Sequence, residues 1–381
     1  MKAPLDSSIA ADSAAERQRR LAAARQWGDF TQAYSTAVQQ GLERFWHGDG
    51  YLAFQTKWRI ACVLGDPVAP PALVEPLLRA FLAKHRRACF WQISRTTAET
   101  LQRLGLWINE MGVDTRIELS DYDFTGKLKE RFRHATNWFE KHRYFVCEGM
   151  FLRVGGNLSR EGEAAAEPRR ASDAIPKGSA GASRSQERVT SDSATIAVDA
   201  AEIAQLSAAW QQSRKIRTTV RFFNRPIVLA DEPDVRKFFL VAPTGQVEAF
   251  VFFDPLYRAG AVVGYSPAIK RRAPAAPLRA EEGIMRYAIE QFQREGRQRV
   301  MLGLSPLAGI EDREFRYNPL VRLTWSRGMN AWWINRYFYN LRGHADFKRR
   351  FGGVEEKTYY ASDALFNDPR VIATLRLAGV L

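Results

Sequence analysis

Two mixed α/β domains joined by a flexible segment are the architecture this sequence predicts, on three observations. The chain has 381 residues, more than the roughly 100–200 residues of a single domain. Strand patterns alternate with single helical patterns in each half. No aromatic residue occurs from 152 to 209, and Ala, Ser, Glu, Arg and Gly dominate between 155 and 193, a composition that cannot bury enough apolar surface to offset its ordering entropy. The expected organisation is a helical extension at 1–29, a first domain at 30–155, a low-complexity linker at 156–195 and a second domain at 196–381.

From the N-terminus, 14–26 reads as a helix too poor in apolar residues for membrane insertion, hence a solvent-exposed extension. Residues 51–55 and 59–64 read as strands, the second stopped by Gly65-Asp66-Pro67. Val74, Leu77, Leu78, Phe81 and Leu82 form a helical stripe, with Pro76 tolerated near its start. A strand at 89–93 follows, then a helix at 97–104 closed by Gly105 and a short strand at 116–119. Residues 127–142 form a basic helix with Leu128, Phe132, Ala135 and Phe139 on one face. In the second half, 247–253 and 261–265 read as a strand pair. Ile284, Met285, Ala288, Ile289 and Phe292 mark a helix ended by Gly296. A buried strand at 300–304 runs into the loop Ser305-Pro306-Leu307-Ala308-Gly309. An aromatic strand at 336–340 and a basic helix at 345–351 complete the reading.

Lys and Arg number 56 against 42 Asp and Glu, a net charge of +14, and the isoelectric point is near 9.9. Such a surface attracts nucleic acid, a phospholipid surface or both. No run of about 18 apolar residues is present to span a bilayer, and the N-terminal residues lack a signal-peptide core, so the expected location is the cytosol. Cys62, Cys89 and Cys147 show no C-x-x-C spacing, and the histidines form no i, i+4 pair, so no disulfide framework, metal site or cofactor is expected.

Four strings, in order, then carry a resemblance: Gly65-Asp66-Pro67-Val68; Asp123-Phe124 through Arg133-His134-Ala135 to Glu140-Lys141 and Tyr144; Leu302-Gly303-Leu304-Ser305-Pro306-Leu307-Ala308-Gly309; and Tyr339-Asn340-Leu341-Arg342-Gly343 with Phe347-Lys348 and Phe351. Over roughly 45–365, apart from the linker, the chain resembles the C-terminal synthase domain of the phosphatidylglycerol lysyltransferases. The resemblance implies two tandem GNAT-like acyltransferase domains. It also implies aminoacyl transfer from a charged tRNA to the glycerol hydroxyl of phosphatidylglycerol. Family members carry a membrane-spanning half with no counterpart in these 381 residues, so the expectation is a cytoplasmic chain, with peripheral association at the inner membrane face left open.

Transfer from an ester requires a held carbonyl, an oriented or deprotonated attacking group and a stabilised oxyanion, without metal or covalent nucleophile. Asp254, at the end of an apolar strand, suits a general base or ammonium-binding group; an Asp-Pro turn is the alternative. Gly303 and Ser305 leave the buried strand where a central site would open; loop geometry explains them as well. In the family-like block, Tyr339, Asn340 and Arg342 offer polar groups to a carbonyl or phosphate. Lys348 and Arg349 suit the phosphodiester of a tRNA acceptor end, and capping by the terminal helix competes with this reading. Arg271 and Arg272 match a family Arg-Arg segment suited to phosphate, against a solvated loop. Glu282 stands where the family has Asn, which alters the group recognised. Arg133 matches the family and suits phosphate contact, whereas Arg143 replaces a family Gly. The cluster Trp325, Trp332, Trp333, Tyr337, Phe338 and Tyr339 lines either an acyl tunnel or a core. The nearest string to a CoA-pyrophosphate turn, Arg349-Arg350-Phe351-Gly352-Gly353-Val354, follows a helix and has Val354 at its small position, which argues against acetyl-CoA. Two other functions stay open: an acyl-CoA- or acyl-carrier-dependent acyltransferase, and a non-catalytic module that binds nucleic acid or membrane.

Overall fold

The computed structural model describes residues 13–151, 195–214, 220–328, 335–336, 340–365 and 368–380. The expected linker therefore lies almost wholly outside the described residues, as do Tyr339, Trp332, Trp333, Tyr337 and Phe338.

In the first half, β1 (Glu43–His47), β2 (Gly50–Lys57) and β3 (Ile60–Leu64) form an antiparallel meander. The crossover helix α3 (Pro71–Lys84) then leads to β4 (Ala88–Ile93), parallel to β3. The second half repeats this connection. Here β8 (Arg236–Val241), β9 (Val247–Arg258) and β10 (Ala261–Arg272) are antiparallel. Helix α7 (Ala280–Arg294) then crosses to β11 (Arg299–Pro306), parallel to β10. Both final hairpins close through two residues of positive φ: Trp58 and Arg59 (51° and 61°), and Ala259 and Gly260 (49° and 83°). That backbone twist matches the twist of the strands it joins. The repeated connection is the tandem GNAT-like arrangement implied by the resemblance.

The twelve strands among the described residues lie in one sheet, in the order β1-β2-β3-β4-β12-β5-β11-β10-β9-β8-β6-β7. It is interlocked. Strand β12 (Val354–Ser362) inserts between β4 and β5 (Trp107–Glu118), pairing Ser362 with Cys89 on one side and Trp107 on the other. Strand β6 (Phe145–Phe151) crosses to pair with β8, and β7 (Ile196–Val198) flanks it. Helices α3 and α4 (Arg95–Arg103) cover one core, built on Leu77, Phe81, Leu101 and Phe54. Helices α5 (Glu130–Lys141) and α7 cover another, built on Phe132, Phe139, Ile284 and Phe292. Helix α6 (Ala200–Ser213) packs Ile203 and Leu206 on the face of β9 that carries Phe250 and Phe252. Further helices are α2 (Ala33–Val38), α8 (Pro319–Gly328), α9 (Leu341–Arg349) and α10 (Asp368–Leu377). No helix among the described residues is long and apolar enough to cross a membrane.

Three expectations are corrected. Helix α1 (Ala14–Trp27) is not a solvent-exposed extension. Its Arg20 is buried and donates to the Ala37 carbonyl at 2.8 Å. The carbonyls of Arg25, Gln26 and Gly28 accept from Gly260, Ala259 and Tyr257, so backbone hydrogen bonding substitutes for the missing apolar stripe. Strand β5 runs for 12 residues rather than four. Asn109, Glu110 and Asp114 break its apolar pattern, yet all three are buried and find partners: Asn109 meets Asn318 and Asp312, Glu110 meets Lys357, and Asp114 meets Thr31. Asp254-Pro255 forms no turn, because β9 continues through it and pairs both residues with β10.

Candidate active site

The parallel pair β10 and β11 is joined only at Gly264–Arg299 and Tyr265–Val300, although both strands run on for six further residues or more. Gly264 makes the junction possible, since a Cβ there would lie 2.1 Å from the Arg299 carbonyl oxygen. Beyond it, Pro267 supplies no N–H to a ladder, and β10 carries a bulge between Pro267 and Ile269. Strand β11 carries its own irregularity between Met301 and Leu304, where Gly303 takes φ +80°. Bulges bend the strands that hold them, so β10 and β11 part and leave a cleft.

Helix α9 covers this cleft. Asn340 caps it, its side chain accepting from the Gly343 N–H at 3.0 Å, and Leu341, Ala345 and Lys348 face inward. Lys348, 3% exposed, donates to the Gly303 carbonyl at 2.5 Å and the Leu304 carbonyl at 2.8 Å. It thereby serves two carbonyls at the irregularity of β11. Burial pushes its ammonium down to about 7, with Asp114 opposing and Lys270 reinforcing the shift. Asp114 is itself held above the usual carboxylate range by burial, while Lys348, the Thr31 hydroxyl at 2.5 Å and the Gly303 N–H pull it back. Lys270 pairs with Glu281 of α7 at 2.6 Å and lies 5.3 Å from the Phe347 ring centre. Burial, with Lys348 and Lys270, keeps His344 neutral.

A neutral amine has two N–H groups and one lone pair. With both N–H groups spent on carbonyls, the lone pair of Lys348 is the part left to take a proton. A lysine titrating near neutrality suits general acid–base work, because both protonation states are accessible.

A family profile described as phosphatidylglycerol lysyltransferase, C-terminal, matches residues 21–149 and 182–362. The chain belongs to this family. Among curated relatives, the phosphatidylglycerol lysyltransferase of Bacillus subtilis (strain 168) is 23% identical over 322 residues, covering 82% of this chain and 31% of that protein. The chain thus spans about a third of that relative's length. The solved L-PGS from Bacillus licheniformis superposes with a TM-score of 0.69 at 17% identity, covering 96% of this chain and 97% of that one. A C-terminal DUF2156 domain from Agrobacterium fabrum gives 0.65 at 16% identity, covering 96% and 95%. At these identities the likeness concerns the fold.

Of the residues singled out from the sequence, this lysyltransferase-family cleft gathers Gly303, Ser305 and Lys348. Ser305 is 1% exposed, and its Oγ has no hydrogen-bond partner among the described residues. It shares a sheet face with Val113, which packs on Ala345 of α9. Glu282 sits in the first turn of α7, buried and raised above the usual carboxylate range by that burial, with Arg350 at 3.9 Å. The rest fall elsewhere. Asp254 is clamped by Arg225 at 2.7 Å, and the same guanidinium binds Glu232 at 2.9 Å, a buried triad that occupies the carboxylate expected to act as a base. Asn340 serves as the helix cap, and Arg342 is on the exposed face of α9. Arg133 clamps the loop before α5 through the Phe124 and Gly126 carbonyls at 2.7 and 2.8 Å. Arg349 pairs with Glu355 at 2.9 Å. Arg271 and Arg272 end β10, Arg271 against α6 and Arg272 exposed. Sequence reasoning missed Thr31, Asp114, Lys270, Glu281 and His344. The one available signal was Asp114, an acid that, with Asn109 and Glu110, breaks the apolar pattern of β5.

Proposed function

We propose that this chain transfers an aminoacyl group from the ester of an aminoacyl-tRNA to a hydroxyl of phosphatidylglycerol or a similar anionic lipid, approached from the aqueous side. The observation that carries the reading is the buried Lys348 amine, anchored on the Gly303 and Leu304 carbonyls within a cleft of this family's fold. The acceptor hydroxyl attacks the ester carbonyl carbon as its proton passes to Lys348. A C–O bond forms to the acceptor, and the tetrahedral intermediate collapses with loss of the donor oxygen. Lys348 returns the proton to that oxygen, so one ester replaces another with no net redox change. The first turn of α7, where a helix start would otherwise suit the pyrophosphate of a CoA donor, presents Glu281 and Glu282. Two carboxylates there disfavour a polyphosphate, which favours the tRNA ester over acyl-CoA.

The test is a transfer assay with the full chain, aminoacyl-tRNA labelled in its amino acid, and phosphatidylglycerol vesicles. Label should move into the lipid fraction, at a rate that rises through pH about 7 as Lys348 loses its proton, and Lys348→Met should abolish it. Transfer from acetyl-CoA but not from charged tRNA, or undiminished transfer by Lys348→Met, would overturn the reading.

A further inference from the structure

Successive residues of a strand face opposite sides of the sheet. Lys270 meets Glu281 of α7 and Phe347 of α9, and the next residue, Arg271, turns to α6. There its guanidinium lies 3.8 Å from the centre of the Trp210 ring, and that of Arg214, at the end of the same helix, lies 5.2 Å from it. Nη1 of Arg271 donates to the Lys270 carbonyl at 2.8 Å, whereas its Nε is buried without a partner among the described residues. No carboxylate among the described residues pairs with either arginine. Burial and the charge of Arg214 push Arg271 down to about 10. An indole face offsets part of the cost of gathering two cations, but a desolvated guanidinium next to a like charge still calls for an anion. The Nε edge of a guanidinium is one of those that bind phosphate oxygens two at a time.

We propose that Arg271, Arg214 and Trp210 form a binding site for a phosphoester group, supplied by a lipid head group or by free phosphate. Only the lipid source rests on the transfer reading above; in that case the site holds the acceptor's phosphate beside the strand that walls the cleft. Calorimetric titration of the full chain with dihexanoyl phosphatidylglycerol below its micellar concentration, and separately with inorganic phosphate, tests it. A single site is expected. Arg271→Gln should weaken it about tenfold or more, as loss of a charge-assisted contact does. Arg214→Gln, a change at an exposed position that spares the core, should weaken it several-fold. Binding of the lipid alone identifies a head-group site, and binding of both ligands with the same sensitivity identifies a general phosphate site. Absence of binding of either ligand by the wild type, or wild-type affinity in both variants, would each overturn the proposal. Lipid binding retained in Lys348→Met with transfer lost leaves this site standing. Unchanged binding in both arginine variants with transfer intact removes the site and leaves the transfer reading standing.

Discussion

Replacing Lys348 by Met keeps most of the side chain's length and removes its amine, so it isolates what the buried proton site contributes. The folded protein holds this lysine near 7, whereas an unfolded chain holds it near its ordinary value of about 10.4. Below pH 7 both states carry the proton, and the cost of burying the cation is present in full. Between 7 and about 10 the unfolded state binds a proton that the folded state lacks, so stability rises with pH. From pH 7 to 9 the wild type should gain about 2 kcal/mol relative to Lys348→Met, taking each pH unit beyond the titration as about 1.4 kcal/mol. The variant also leaves the Gly303 and Leu304 carbonyls without their donor, which costs about 1–3 kcal/mol for each buried group, independent of pH. Guanidinium unfolding of both proteins at pH 7, 8 and 9 reads the difference, since titrating groups remote from Lys348 are common to the two and cancel. Parallel pH dependences would refute the depressed lysine, and with it the base assigned to the cleft.

Arg225→Met strands Asp254 and Glu232 in a buried site and should cost about 3–5 kcal/mol by thermal or denaturant unfolding. Asp254→Asn should lower stability yet leave the pH dependence of transfer unchanged, whereas a shifted profile would return Asp254 to the chemistry. In Gly264→Ala, a Cβ meets the Arg299 carbonyl at 2.1 Å. It should cost about 1–3 kcal/mol as backbone shifts relieve the clash, with transfer reduced because the cleft's junction moves. Asn340→Ala removes the α9 cap for about 1 kcal/mol; transfer should fall at every pH without change in the profile's midpoint.

Much of the scaffold was legible because its signals are local. The stripe through Leu77, Leu78 and Phe81, and the one through Ile284, Ala288 and Phe292, each follow from helical spacing alone, and both place the crossover helices where the structure has them. The site was legible only in part. Gly303, Ser305 and Lys348 emerged from the family strings; Asn340, from the same strings, caps α9, and Asp254 is one arm of a buried ion triad. A string match shows that a residue type suits a position without showing whether packing or chemistry requires it.

By itself the sequence determined the mixed α/β character, the repeated alternation of strands and helices, and the excess of positive charge, since apolar period and composition act over a few neighbouring residues; the family followed separately, from the resemblance of its four strings. Tertiary structure alone decided that β12 enters the first half's sheet, that α1 ties the two halves together, and that Asp114, Lys270, Gly303 and Lys348 meet in one cleft. These residues are separated by up to 234 positions, from 114 to 348. Strand register and the parting of β10 from β11 bring them together. Whether a charge is buried, and which partner answers it, depends on those distant neighbours rather than on the residues beside it in the chain.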